Sequence, residues 1–231
     1  MRWLEHPASE VSAHYVVDED GAITQMVAEE RRAWHAGRSS WAGESDVNSA
    51  SIGIEIANPG HWWDLSAVPD RDPARPVEVH PGYADFPAVQ IAAVIALARD
   101  IVARHGIPAE RILGHSDVAP GRKRDPGEKF PWDRLAAAGL GLVVAPAPLE
   151  AGGGRTIGPG EVSPPVAALQ AMLAGYGYGV PVDGRYGPET IAVVEAFQRH
   201  FRPARVDGIA DASTIATLRR LLAARDGEGV A

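Results

Sequence analysis

Apolar and polar positions change their period several times along the chain, and each change marks an element. His14-Tyr15-Val16-Val17, then Asp18-Glu19-Asp20-Gly21, then Ala22-Ile23-Thr24-Gln25-Met26-Val27 reads as a strand, an acidic turn ending in Gly and a second strand, which is a β-hairpin. In Ile52-Gly53-Ile54-Glu55-Ile56 the isoleucines fall on one face by period-two alternation, so Gly53 and Glu55 project from the other. After Phe86-Pro87, Ile91, Val94, Ile95, Ala98 and Val102 recur at helical spacing, and Gly106 is placed to end that helix. Ile107-Pro108 then leads into a predicted strand from Arg111 to Gly114. Alternation of strand and helix predicts an α/β domain, a mixed central sheet flanked by helices. The stretch from His61 to Tyr83, rich in Pro, Asp and Trp, reads as a long insertion loop, with Trp62 and Trp63 either walling a groove or capping the core.

The pattern breaks between about Gly139 and Pro165. Ala145-Pro146-Ala147-Pro148 and Gly152-Gly153-Gly154 sustain neither a helix nor a central strand, so the two halves read as tethered. Beyond them lies an internal repeat. Val182-Asp183-Gly184 and Val206-Asp207-Gly208 each begin a V-D-G-x5-T string, ending at Thr190 and Thr214, and each string opens a helix with an apolar stripe. Pro188 suits a first helical turn and Asp211 an N-cap. With Val166 to Leu173 as a further helix, these residues predict a small three-helix C-terminal bundle. The division that follows is 1–142, a linker 143–162, and 163–224.

Composition narrows the function. The 231 residues are 45% hydrophobic with no cysteine, which excludes disulfides and thiolate metal sites. No apolar run approaches the roughly 20 residues needed to cross a bilayer, and no signal peptide is visible. A net charge of −8 disfavours nucleic acid, whose phosphates require a basic face. A monomer acting on a neutral or mixed-charge polymer or peptide is the expectation.

The chemistry concentrates in Ile112 to Gly127, a turn-rich segment holding His115, Asp117, Lys123 and Asp125. His115 and Asp125 are acceptable zinc ligands, and the Pro and Gly between them let the chain reverse so that both face one ion. Lys123 would lie close by, where an ammonium steadies a developing oxyanion. Each residue also has a structural reading: a hydrogen-bonding histidine after a strand, a turn-forming aspartate before proline, a solvated lysine. Glu55 is either an exposed strand residue or a general base lining a cleft.

Gly114-His115-Ser116-Asp117 through Lys123-Arg124-Asp125-Pro126-Gly127, with Ser12-Ala13-His14-Tyr15, Arg32-Ala33-Trp34-His35-Ala36-Gly37 and Ser51-Ile52-Gly53-Ile54-Glu55, resembles the AmpD/AmiD group of N-acetylmuramoyl-L-alanine amidases over roughly residues 2 to 140. The resemblance implies a Zn2+ cofactor bound by His115 and Asp125, catalysis by Glu55 with Lys123 assisting, and substrate contacts at His35 and Trp34. The implied substrate is the amide between N-acetylmuramic acid and L-alanine in peptidoglycan or muropeptides. Leu169-Gln170, Asp183-Gly184, Tyr186-Gly187 and Phe197-Gln198 resemble the peptidoglycan-binding module PG_binding_1, which would raise affinity for insoluble wall more than it alters the chemistry.

One departure stands out. The family's further zinc-binding histidine sits on a strand upstream of the segment that here begins at Met1, and His14 or His6 would be the substitutes within this sequence. The expectation is a chain that starts at an internal methionine of a longer protein and is weak or inactive as given. Two other readings stay open: a wall-recognition protein without catalysis, and a zinc peptidase cutting the stem peptide. The implied location is the periplasm or cell envelope, with the cytoplasm as the alternative.

Overall fold

The computed structural model describes residues 11–60, 84–149 and 156–227. The proposed insertion loop with Trp62 and Trp63, and His6, lie outside the described residues. The hairpin forms as β1 (Tyr15–Val17) and β2 (Ile23–Gln25), antiparallel with Tyr15 opposite Gln25. Its turn closes through the Asp18 N–H on the Ala22 carbonyl, and Asp20 accepts from the Ala22 N–H at 2.9 Å. The third strand, β3 (Ile54–Ile56), runs parallel to β1 with Glu55 opposite Val16, giving a sheet in the order β2-β1-β3. All of β1 is buried, as a central strand requires, while β2 is exposed.

The helix α1 (Ala88–His105) lies on this sheet, and Gly106, at φ 61°, ends it in the left-handed cap the sequence signals. Gln90, fully buried, donates from one amide nitrogen to the carbonyls of Val17 and Ala57, tying the helix to the ends of β1 and β3. The strand expected from Arg111 to Gly114 does not form. A 3-10 turn occupies Ala109–Arg111, the Ile112 N–H bonds the Ala109 carbonyl, and the Gly114 N–H is taken by the Asp117 carboxylate. Amides already engaged locally cannot enter a ladder. The histidine segment itself is a short helical turn, α2 (His115–Val118), followed by irregular chain and α3 (Trp132–Ala137).

The C-terminal half is the expected bundle of α4 (Pro164–Tyr176), α5 (Pro188–Phe201) and α6 (Ala212–Arg225), with Pro in the first turn of α4 and α5. Asp211 caps α6 by accepting from the Thr214 N–H. The repeat has a physical cause. Buried Gln170 accepts from the N–H groups of Asp183 and Gly184 and donates to Asp183, to the Arg185 carbonyl and to Thr190. Gln198 makes the same set with Asp207, Gly208, Ile209 and Thr214. Each V-D-G-x5-T string is a loop wrapped around one buried amide, and Gly184 and Gly208 supply the positive φ (75° and 68°) that the wrapping needs.

The two halves are joined more firmly than a tether. Residues 145–147, Ala-Pro-Ala, lie along α6: the Ala147 N–H donates to Thr217 Oγ1, Ser213 Oγ donates to the Ala147 carbonyl, and Arg220 donates to the Ala145 carbonyl. Trp41, Val118 and Ala119 share one apolar core with Leu169, Tyr176, Phe197 and Leu218. The Trp41 ring meets those of Tyr176 and Tyr178 edge-on at 5.7 and 5.0 Å. An extended Ala-Pro segment has free carbonyls and little side-chain bulk, which suits it to docking on a helix that offers hydroxyls and a guanidinium.

Candidate active site

Three segments that the fold brings to one end of the sheet build the site. The turn of α2 is closed on the distal part of its loop by the Ser116 N–H, which donates to the Asp125 carbonyl at 2.9 Å. That bond sets His115 Nδ1 2.9 Å from Asp125 Oδ2, with the aspartate partly exposed and the imidazole largely buried. His115 Nε2 faces the Ala36 carbonyl at 3.3 Å, a contact that only an N–H can make. With the proton on Nε2, the Nδ1 lone pair and a carboxylate oxygen of Asp125 are the two atoms that an ion would take. A carbonyl on the far nitrogen is the arrangement that orients metal-binding histidines. Two ligands about 2.0–2.1 Å from a tetrahedral zinc stand roughly 3.3 Å apart, so a small opening of this pair would fit one ion.

Glu55 comes from β3. Burial, and then the Asp125 carboxylate, raise its pKa above the ordinary value, opposed by His115 and Lys123. Glu55, His115, Asp125, His35 and Ser51 line one cavity of about 330 Å³ whose deeper wall is apolar. Lys123 is close enough to act electrostatically on both carboxylates but is not a lining residue. His35 comes from the third segment. Its N–H and that of Ala36 both donate to Asn48 Oδ1, and its ring lies over Gly53. Burial, then the neighbouring His14 and His115, hold its imidazole down to about 4. Trp34 is exposed, with the Arg32 guanidinium 5.0 Å from its ring centroid, and does not line the cavity.

His14 is no substitute ligand. Its Nδ1 accepts from the Gly53 N–H at 3.0 Å and its Nε2 faces the Arg31 carbonyl at 3.0 Å, so both nitrogens are committed. Among the described residues no group of three or more metal-ligating His, Asp or Glu side chains forms, and the candidate donors are the His115–Asp125 pair. Sequence reasoning gave no role to Asp117, Tyr178, His200 or Arg122. The last inserts its guanidinium between the two segments, donating to the carbonyls of Ala36 and Arg38. Its signal was available as a basic residue inside the histidine loop, but its partners are backbone atoms and leave no pattern.

A carboxylate with a raised pKa, beside an imidazole–carboxylate pair in a cleft, defines a hydrolytic class of site. The comparisons name it. Residues 1–128 match the family N-acetylmuramoyl-L-alanine amidase, and residues 162–218 match a peptidoglycan-binding domain. The N-acetylmuramoyl-L-alanine amidase AmiD of Escherichia coli is 39% identical over 221 residues, covering 92% of this chain and 74% of that protein. A 1,6-anhydro-N-acetylmuramyl-L-alanine amidase AmpD of Salmonella typhimurium is 37% identical over 127 residues, 55% of this chain and 56% of its own length. The structure of E. coli AmiD in complex with anhydro-N-acetylmuramic acid-L-Ala-D-γ-Glu-L-Lys superposes with a TM-score of 0.70 at 38% identity, covering 92% of this chain and 79% of that one. That of Pseudomonas aeruginosa AmpDh3 with an anhydromuramic pentapeptide gives 0.72 at 33%, covering 93% and 83%. The chain belongs to the N-acetylmuramoyl-L-alanine amidase family and is an amidase, a hydrolase.

Proposed function

We propose that this chain hydrolyses the amide between N-acetylmuramic acid and L-alanine in muropeptides or peptidoglycan, with zinc as cofactor. The observation that carries the reading is the His115 Nδ1–Asp125 Oδ2 pair facing Glu55 across one cavity. The named substrates of the relatives, anhydromuramyl peptides, have the sugar, lactyl carbonyl and peptide that such a cleft would take.

His115 and Asp125 would hold the metal, which when bound supplies a Lewis acid for the amide carbonyl and makes water more acidic. Glu55, desolvated and therefore a better base than an exposed carboxylate, takes a proton from the attacking water. It returns that proton to the nitrogen as the C–N bond breaks, so the products are a free lactyl carboxylate and an intact peptide with a new amino terminus. The Lys123 ammonium balances negative charge developing on the carbonyl oxygen. His35, neutral at physiological pH because burial depresses its pKa, offers one donor and one acceptor without adding charge. Trp34, next to His35 in the chain, presents an exposed ring that would take a sugar or peptide face.

A catalytic zinc commonly takes three protein ligands and a water, and the described residues supply two. The second reading is recognition of peptidoglycan without cleavage. Against it, the half-buried Glu55 carboxylate in the cavity has no binding task that a neutral amide would not do more cheaply. We assign residues 1–142 to the amidase part, 143–162 to the connection and 163–224 to wall binding, acting at the cell envelope as a monomer. No helix among the described residues is long and apolar enough to cross a membrane.

Mass spectrometry of products from a defined muropeptide tests the reading. It predicts free muramic acid and an uncut peptide beginning with L-alanine. Shortened peptides would replace the amidase with a peptidase, and binding without products would replace it with a recognition protein.

A further inference from the structure

Asp117 sits in the turn that carries His115 and is completely buried. Residues two apart on a helical turn project about 200° apart. His115 therefore faces the cavity while Asp117 faces the other way, into the C-terminal half. There its Oδ1 accepts from the Tyr178 hydroxyl at 2.7 Å, and its Oδ2 accepts from the Gly114 N–H at 2.7 Å and from His200 Nδ1 at 2.8 Å. Tyr178 follows α4 and His200 lies on α5, so two donors from the bundle meet one carboxylate of the amidase loop.

The contact is built. His200 is buried and lies flat between Trp132, 3.8 Å away at 18°, and Phe201, 3.9 Å away at 3°. Its Nε2 has no hydrogen-bond partner among the described residues, so the polar engagement of the ring is the one with Asp117. Around it the backbones interlock: the Ala42 N–H donates to the Gly177 carbonyl, and the Ser40 N–H to the Val118 carbonyl. A buried carboxylate stripped of a partner is strongly unfavourable, so the loop holds the position in which all three donors reach it.

We propose that Tyr178 and His200 are positioning residues of the active-site loop: they clamp Asp117 and thereby fix the turn from which His115 enters the cavity. The wall-binding module is then part of the frame of the amide-cleaving site as well as an attachment to the wall. This rests on the reading of His115 as a site residue.

The test uses the full chain with Tyr178→Phe, which removes one oxygen, and His200→Leu. His200→Asn provides the rescue, because its amide nitrogen stands near the place of Nδ1. Hydrogen exchange is read at the N–H groups of Gly114, Ser116 and Lys123, which bond to Asp117, to the Asp125 carbonyl and to the Ala119 carbonyl, against those of α6. Tyr178→Phe and His200→Leu are expected to speed loop exchange on the order of tenfold while α6 is unchanged, and His200→Asn to return it most of the way. On a soluble muropeptide, kcat should fall on the order of tenfold with KM nearly constant. Unchanged loop exchange in both variants, or an equal rise throughout α6, overturns the proposal. If His200→Leu does not fold, Tyr178→Phe decides it. Loop exchange decides the clamp by itself where the wild-type chain shows no turnover, so a failure of the amidase reading and a failure of the clamp are distinguished.

Discussion

Gly53→Ala places a methyl group where the His35 ring already lies. A Cβ at this buried position would stand 2.3 Å from His35 Cγ and 2.6 Å from Cδ2 and Nδ1. Carbon atoms settle at about 3.5–4.0 Å, so the ring must retreat by more than an ångström. It has little room, since its backbone N–H is held by Asn48 at 3.0 Å and the His14 ring is 5.5 Å away. Overpacking of this kind costs about 1–3 kcal/mol, and Ala for Gly returns about 0.4–1 kcal/mol by restricting the unfolded chain. The net expectation is a loss of about 1–2 kcal/mol. Equilibrium urea unfolding reads it directly, and turnover on a soluble muropeptide should fall on the order of a hundredfold as His35 leaves its place. Adding His35→Ala removes the clash, so the double variant should recover the stability lost by Gly53→Ala but not the turnover. A Gly53→Ala chain with the wild-type unfolding midpoint and wild-type turnover would refute the packing described for this face of β3.

Gln198→Leu removes the amide at the centre of the second repeat, leaving the N–H groups of Asp207 and Gly208 and the Ile209 carbonyl without it. At about 1 kcal/mol per hydrogen bond, with more for groups that stay buried, a loss of roughly 3–5 kcal/mol is expected in urea unfolding. Glu29 is held well below the usual carboxylate range by hydrogen bonds from Arg104, Tyr15 and His105, against its burial. A depressed folded pKa contributes stability that is present above the ordinary value and lost as pH falls through about 4 and below. Glu29→Gln should therefore flatten the acid side of the thermal-melt profile while leaving the slope above neutrality alone; an unchanged acid limb would contradict the assignment.

Much of the fold was legible because it is local. The hairpin turn, the period of α1 with its Gly106 cap, and the two repeats each write their own residues. The strand expected before Gly114 failed because a proline-led turn and the Asp117 carboxylate claim its amides, and a period-two pattern does not record competition for hydrogen bonds. The proximity of His115 and Asp125 is carried by a loop whose closure is short-range, which is why those residues could be singled out together. Asp117, Tyr178 and His200 escaped notice for the opposite reason. They are 61 and 83 residues apart in pairing, and nothing at either end announces the partner. The Ala-Pro segment misled likewise: composition shows that it cannot be a helix, but says nothing of the hydroxyls of α6 that receive it.

The most direct test of the central claim measures zinc binding and turnover side by side in four chains: wild type, His115→Ala, Asp125→Ala and Glu55→Gln. The account predicts that removing His115 or Asp125 abolishes both, and that Glu55→Gln keeps the wild-type zinc affinity while turnover falls by about a hundredfold to ten-thousandfold. Wild-type zinc affinity in either His115→Ala or Asp125→Ala, or wild-type turnover in Glu55→Gln, would contradict it.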